Sequence, residues 1–150
     1  MGDHVEFGRL LRARIPDDWP PAESADALPW FLERLEAADP GDAGWHGFYA
    51  IATDIEPEAV LVGGGGTLGP PAHGRAEIGY SLLPAFQGRG YATELMRAVL
   101  DWVERDPRVN LVKAETDAGN APSRRLLDRL GFTETGPGRE AGALQYSRRR

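Results

Sequence analysis

The chain has 150 residues, of which 41% are hydrophobic and 27% are charged, values typical of one soluble globular domain. Its 23 acidic and 17 basic residues give a formal charge of -6 at pH 7, which argues against a nucleic-acid partner and favours a cationic or amine substrate. The absence of cysteine excludes disulfides, thiolate metal sites and a cysteine nucleophile.

Membrane and metal signals are also missing from the sequence. No apolar run approaches the ~20 residues that cross a bilayer, and Met1 to His4 lack the charged-then-apolar start of a signal peptide. The three histidines share no metal-ligand spacing. We therefore expect a cytoplasmic protein with no membrane partner and no metal. Lys113 is the single lysine, a bias towards arginine that is typical of a GC-rich bacterial genome.

The amino-terminal part predicts two helices separated by an irregular segment. Val5, Leu10 and Leu11 lie on one face of a short predicted helix that ends before Ile15-Pro16. Pro16 to Pro21 are too proline-rich for a helix or strand. A second helix is predicted from Pro29 through Ala38, with Trp30, Phe31 and Leu35 pointing inward. We expect these helices to cover one side of a sheet.

Three strands are predicted next, forming an antiparallel meander: Gly47 to Thr53, Ala59 to Leu68 and Arg75 to Leu83. The middle strand contains four successive glycines, Gly63 to Gly66. Because they lack the Gly-Lys-Ser/Thr ending of a phosphate-binding P-loop, we interpret them as a strand segment that another backbone approaches closely.

A glycine-containing turn follows the third strand and Pro84, in the order Gln87-Gly88-Arg89-Gly90-Tyr91-Ala92. It opens an amphipathic helix from about Arg89 to Arg105. Gly88 and Gly90 allow the backbone to turn without a Cβ, so that successive N–H groups converge at the positive end of the helix. This arrangement predicts a site for the pyrophosphate of a nucleotide-type cofactor.

The remaining chain predicts a strand at Leu111 to Thr116, a helix from Pro122 to Leu130, and short strands at Phe132 to Thr135 and Ala143 to Ser147. A right-handed crossover makes the Leu111 strand parallel to the one before the glycine turn. Such neighbours can splay at their carboxyl ends, where open α/β sheets place ligands.

At the turn and downstream of it the chain resembles the GNAT superfamily of acyl-CoA-dependent N-acetyltransferases. The family signature is Gln or Arg, two residues, Gly, one residue, then Gly or Ala, and it is matched by Gln87, Gly90 and Ala92. Flanking segments are similar to the branch that contains the ribosomal-protein N-terminal acetyltransferases: Glu77-Ile78-Gly79-Tyr80, Pro84, Tyr91-Ala92-Thr93-Glu94, Asn120, Ser123 and Leu130-Gly131-Phe132. The resemblance is specific from about Arg75 to Gly136.

The resemblance implies a single α/β (α+β) domain over residues 1–150: a mostly antiparallel sheet of six to seven strands with a splayed parallel pair, flanked by about four helices. It also implies that acetyl-CoA lies in the splayed gap. Its implied contacts are the backbone of Leu82 and Leu83 and the side chain of Asn120 for the pantetheine, and the pyrophosphate turn of Gln87, Gly88, Arg89, Gly90, Tyr91, Ala92 and Thr93.

Direct transfer to an amine needs a base, because freeing a lysine-like amine at pH 7 costs roughly 5 kcal/mol. The resemblance makes Glu77 the candidate base, although a salt-bridged strand residue fits the sequence equally well. Many family members place a general-acid tyrosine seven residues after the asparagine, where this chain has Leu127. Ser123, which also fits a helix cap and pantetheine contact, and Tyr146 are the remaining donors for the departing thiolate.

The sequence thus predicts an N-acetyltransferase that acts on a primary amine, either a small molecule or a peptide N-terminus. A non-catalytic acyl-CoA-binding or regulatory module is the alternative; a dinucleotide-binding oxidoreductase is disfavoured because a meander precedes the glycine turn. The usual first strand of the fold is missing or very short. Three explanations stay open: the sheet begins one strand late, the start codon is misassigned, or a partner covers the edge in a homodimer.

Overall fold

The computed structural model describes residues 4–150. The expectation about a signal peptide rests partly on Met1 to Asp3, which lie outside the described residues. The predicted mixed α/β architecture is confirmed. The strands are β1 Phe48–Ala52, β2 Val60–Thr67, β3 Arg75–Leu82, β4 Leu111–Asp117, β5 Thr133–Pro137 and β6 Ala143–Arg149. The helices are α1 His4–Leu11, α2 Ala22–Ala25, α3 Leu28–Glu36, α4 Tyr91–Val103 and α5 Ala121–Arg129, with 3₁₀ turns at Pro40–His46 and Pro84–Phe86.

The six strands form one sheet in the order β1-β2-β3-β4-β6-β5. Every neighbouring pair is antiparallel except β3 and β4, which are parallel and are joined by α4. The predicted meander and crossover are therefore confirmed. Within residues 4–150 no strand precedes β1; Arg14 makes a single parallel bridge to Val60.

α4 and α5 cover one face of the sheet. α4 buries Met96, Val99, Leu100 and Val103 in a cluster that also contains Ile78 of β3. Burial of each such side chain contributes about 1.5–3 kcal/mol. α4 ends at Val103 and is capped by Glu104, shortly before Pro107, which cannot continue a helix.

The opposite face of the sheet is defined here by Arg75, Glu77, Gly79 and Ser81 of β3 with Lys113 and Glu115 of β4, and is called the Glu77 face. Side chains alternate along a strand, so these residues point away from the core side chains Ala76, Ile78 and Ala114. α2 reaches this face, because Ser81 Oγ donates to Glu23 Oε2 at 3.1 Å.

The prediction that Trp30 and Leu35 point inward is wrong. Trp30 is 43% exposed and Leu35 is 45% exposed, while Phe31 is partly buried. The 3.6-residue pattern locates α3 correctly, but α3 borders a cavity over the Glu77 face instead of packing flat on the sheet. Burial of these side chains depends on that docking, which local sequence does not encode.

The glycines of β2 permit a close approach of backbones, as predicted. A Cβ added to Gly63 would stand 2.4 Å from the Ser81 carbonyl oxygen, and one added to Gly65 would stand 2.8 Å from that of Gly79. β3 can therefore lie against β2 only because these positions carry no side chain.

Among the helices of residues 4–150, none has the length and apolar character needed to span a membrane.

The strands at the two edges of the sheet are β1 and β5. Dimerisation through such an edge remains a prediction.

Candidate active site

A wedge opens between β3 and β4 where their pairing stops. Cα partners run from Arg75 and Leu111 to Ile78 and Ala114, and beyond this point β3 follows β2 while β4 follows β6. Residues 79–82 and 115–117 therefore face each other across a gap. The predicted splayed parallel pair is confirmed.

Backbone groups of Tyr80 and Leu82 face this wedge. On the other edge of β3, the Leu68 N–H donates to the Glu77 oxygen and the Leu83 N–H donates to the Val62 oxygen, both at 2.9 Å. Bonding direction alternates along a strand, so residues 80 and 82 turn their N–H and C=O groups towards β4. The Leu82 oxygen also accepts from Gln87 Nε2 at 3.1 Å.

Of the two positions implied for the pantetheine, only Leu82 has backbone groups directed into the wedge. Leu83 is bonded elsewhere: its N–H pairs with Val62 and its oxygen accepts from the Phe86 N–H at 3.0 Å. Tyr80, for which no pantetheine contact was predicted, has its backbone groups oriented like those of Leu82.

The turn between the wedge and α4 is shaped by two glycines in left-handed conformations, Gly88 at φ 73° and Gly90 at φ 90°. A Cβ built at either position meets nothing within 4 Å, so open space lies beside the backbone. Gly90 is the N-cap of α4 and has no side-chain cap, and the first helical bond runs from the Glu94 N–H to the Gly90 oxygen at 3.1 Å. The intervening N–H groups of residues 91–93 are thus free to bind an anion.

The side chains around this turn leave it accessible. Arg89 is exposed, with its guanidinium 5.9 Å from the centre of the Phe86 ring. The Tyr91 hydroxyl donates to Asp54 Oδ1 at 2.9 Å, which raises the pKa of Tyr91 above its ordinary value. A bare helix N-terminus with open space at both glycines fits the pyrophosphate of CoA.

The N-terminus of α5 borders the carboxyl end of β4. Asn120 Oδ1 accepts from the Ser123 N–H at 3.1 Å and so caps the helix. Ser123 is 8% exposed, and its hydroxyl makes no hydrogen bond with other residues in 4–150. Leu127, one turn on, is buried in the core.

Asn120→Ala should lower the free energy of unfolding by about 1 kcal/mol, because the Ser123 N–H loses its acceptor. Urea unfolding measures this change. Ser123→Ala is the matched control: the cap uses the Ser123 backbone N–H, which alanine keeps, so this variant should lose less stability than Asn120→Ala. Equal stability of Asn120→Ala and wild type would contradict the cap.

Tyr146 lies in the core at 1% exposure, on the face covered by α5. Its hydroxyl accepts from Arg124 Nε at 3.1 Å and donates to Glu134 Oε2 at 3.4 Å. The hydrogen bond between Arg124 and the Tyr146 hydroxyl raises the pKa of Arg124. The Tyr146 proton is therefore already shared with a carboxylate.

Glu77 lies beside Lys113, its Cα partner on β4, on the same face of the sheet. Its side chain is 25% exposed and forms an ion pair with Arg139 from the β5–β6 loop. Arg139 Nε also contacts Glu115 Oε1 at 3.2 Å, so one guanidinium bridges carboxylates on both strands of the parallel pair. Arg139 is positioned to fix the orientation of Glu77.

Glu115 is held by more than the Arg139 charge. Burial by itself would raise the pKa of Glu115, but hydrogen bonds from the Arg139 backbone N–H and the Gln145 side chain, together with the Arg139 guanidinium, lower it below its ordinary value. Glu115 is therefore ionised at neutral pH and serves as an anchor for Arg139.

The position above Gly79 is open. A Cβ built on Gly79 meets nothing within 4 Å, although its neighbours on the same face, Glu77 and Ser81, both have polar contacts. Gly79 is also the first β3 residue beyond the last β3–β4 pair. The Glu77 face is therefore uncovered above Gly79, next to the residue where the wedge begins.

A cavity of about 630 Å³ lies between α3 and the Glu77 face. Trp30, Phe31 and Arg34 of α3 form one wall, and Glu77, Lys113 and Arg139 line the other side. Sequence reasoning missed Arg139, Glu115 and Lys113. The alternation of charged residues on β4 was a usable signal for the last two, whereas the position of Arg139 depends on a loop.

The described residues contain no group of three or more His, Cys, Asp or Glu side chains that could hold a metal ion.

Comparison with known proteins defines the class. Residues 6–133 match the family model described as "Acetyltransferase (GNAT) domain", and the chain belongs to this family of acetyl-CoA-dependent acyltransferases. It is 28% identical over 116 residues to the "Uncharacterized N-acetyltransferase YjdG" of Bacillus subtilis, covering 77% of this chain and 67% of YjdG. It is 33% identical over 66 residues to the "Putative ribosomal N-acetyltransferase YdaF" of the same organism, covering 44% of this chain and 36% of YdaF.

Among solved structures, the chain resembles the ribosomal L7/L12 alpha-N-protein acetyltransferase RimL in complex with coenzyme A, with a TM-score of 0.55 and 22% identity over 60% of this chain and 56% of RimL. At this level of identity the likeness concerns the fold.

Proposed function

We propose that this protein transfers an acetyl group from acetyl-CoA to a primary amine, of a small molecule or a peptide N-terminus, by direct attack in a ternary complex. The observation that carries the proposal is the uncovered position above Gly79, since Gly79 lies on β3 between Glu77 and the residues that face the wedge. An acyl donor in the wedge and an amine beside Glu77 would meet there.

The wedge and the turn would hold the cofactor. The pantetheine arm would pair with the backbone groups of Tyr80 and Leu82, and the pyrophosphate would accept from the N–H groups of residues 91–93. The bound cofactor supplies a thioester, and the Tyr80 N–H is the donor best placed to stabilise its oxyanion. A preorganised donor of this kind typically contributes about 2.7–4 kcal/mol to catalysis.

Glu77 would accept the proton of the attacking amine, directly or through water, as the new C–N bond forms and the C–S bond breaks. The departing thiolate must gain a proton. Ser123 is better suited than Tyr146 to donate it, because the Ser123 hydroxyl is unbonded within the described residues whereas Tyr146 is engaged by Arg124 and Glu134. With no cysteine in the chain, acyl transfer through a cysteinyl intermediate is excluded.

One observation favours the alternative of a non-catalytic acyl-CoA-binding module. Leu127 occupies the position of the general-acid tyrosine found in many relatives, and it is buried in the core. In that case the wedge would bind acetyl-CoA without transferring the acetyl group.

Thiol release from acetyl-CoA over a panel of primary amines separates the two functions, with mass spectrometry of the product as confirmation. We expect amine-dependent release and acetylation of at least one member of the panel. Acetyl-CoA binding without amine-dependent release on any member would support the module. A bacterial source, which the Bacillus relatives support, and a cytosolic location are also part of the proposal.

A further inference from the structure

The cavity between α3 and the Glu77 face has a charge opposite to that of the whole protein. The chain carries a formal charge of -6, yet Arg34, Arg75, Lys113 and Arg139 all line this cavity, and Glu77 is the carboxylate among its described lining residues. Cations that converge on a concave surface focus a positive potential, which attracts anions.

Three of these four cations lack a carboxylate partner. Arg139 is engaged by Glu77 and Glu115. In the part of the chain that the structure describes, Arg34, Arg75 and Lys113 form no ion pair with an acidic residue. Their charges are therefore available to a ligand.

Arg34 is held at the cavity wall by its surroundings. Its guanidinium stacks 4.6 Å from the centre of the Trp30 ring, and its Nη2 lies 3.6 Å from where a Cβ on Gly69 would stand. A planar guanidinium fixed in this way can bind a carboxylate or phosphate through two parallel hydrogen bonds.

Lys113 faces the cavity next to the candidate base. Glu77 and Lys113 are Cα partners on adjacent strands, which places their backbones about 4.8 Å apart. An amine beside Glu77 and an acid group beside Lys113 would therefore be separated by only a few bonds.

We propose that the acceptor carries an anionic group, a carboxylate or a phosphate, close to its reactive amine. This inference rests on the proposed function. The amine lies beside Glu77 over Gly79, and Lys113 and Arg34 bind the acid group. A polycationic acceptor is disfavoured because its further charges would face Lys113 and Arg34.

The test uses tripeptides with the same N-terminal serine followed by two Glu, two Gln or two Lys residues, and a fourth with phosphoserine in place of the Glu residues. We expect kcat/KM for the Glu or phosphoserine peptide to exceed that for the Gln peptide by about tenfold or more, with the Lys peptide lowest. The Glu and phosphoserine arms distinguish carboxylate from phosphate recognition. Equal rates, or a preference for the Lys peptide, would overturn the proposal.

Lys113→Gln and Arg34→Gln locate the effect. In each variant the ratio of kcat/KM for the acidic peptide to kcat/KM for the Gln peptide should fall by about tenfold. Arg129→Gln, at the exposed end of α5, is the matched control and should retain the full preference. A preference that survives in both cavity variants would contradict an anion site here.

A binding measurement separates this inference from the proposed function. The N-acetylated peptides are titrated into the protein saturated with CoA, which requires no turnover, and the acidic peptide should bind about tenfold tighter than the Gln peptide. Selective binding without acetylation of any free peptide or any amine of the panel would leave the anion site standing and overturn the enzyme. Acetylation without discrimination between the peptides would overturn the anion site and leave the enzyme standing. Neither selective binding nor acetylation of any peptide or panel amine would overturn both.

Discussion

Glu77→Gln is expected to lower kcat/KM by about 10²–10⁴-fold at neutral pH while acetyl-CoA affinity is unchanged. Glutamine preserves the shape of the side chain but cannot accept a proton from the attacking amine. The loss should shrink as pH rises towards the amine pKa, about 10.4 for a lysine-like acceptor, because the free base then forms without help. Steady-state kinetics across this pH range, with calorimetry for acetyl-CoA, measure both effects.

Glu115→Gln is the matched control for Glu77. Both carboxylates bind Arg139, but Glu115 lies on β4, where it is also bonded to Gln145. If Glu77 is the base, Glu115→Gln should lose less than about tenfold, through a looser Arg139. Equal losses in the two variants would show that Glu77 acts only as an ion-pair partner on the strand.

Gly90→Trp is expected to abolish acetyl-CoA binding. The side chain would enter the open space beside the turn, where the pyrophosphate is proposed to lie. For the wild type, acetyl-CoA at about 100 times its Kd adds about 2.7 kcal/mol of stability. For a domain of this size that corresponds to a rise in Tm of about 5–10 °C, and the variant should show none.

Two controls separate blockage from backbone strain. Gly90→Ala carries the strain of a side chain at φ 90° without the bulk, so it should keep part of the shift in Tm. Gly136→Trp places the same side chain at another glycine with positive φ and open surroundings, on β5, and should keep the whole shift. A full shift in Gly90→Trp would show that the pyrophosphate lies elsewhere.

The regular elements of the fold were predictable because their signals are local. α4 carries a long 3.6-residue stripe, and the predicted ends of β2, β3 and β4 lie within about two residues of those observed. The glycine turn before α4 was predictable for a related reason: Gly88 and Gly90 adopt conformations that favour glycine, and they stand between a strand and a helix.

The Glu77 face and the cavity over it were less predictable because they are made by tertiary contacts. The exposure of Trp30 follows from how α3 docks over the sheet, and Arg139 reaches Glu77 from a loop 62 positions away in sequence. That four cations line one cavity could not be predicted from composition, since the net charge of the chain has the opposite sign.

The choice of Leu82 and Leu83 for the pantetheine illustrates a finer limit. Which of two adjacent residues faces the wedge depends on the register between β2 and β3, and the Leu83 N–H is bonded to Val62. A shift of one residue reverses the direction of every backbone group along a strand. The register between β2 and β3 could not be predicted from composition or periodicity.

Calorimetric titration of acetyl-CoA into the wild-type protein tests the central claim most directly. The geometry of the wedge and the turn predicts one site per chain with a Kd of about micromolar order. A folded protein that binds no acetyl-CoA would contradict the proposed cofactor site and the transferase function that depends on it.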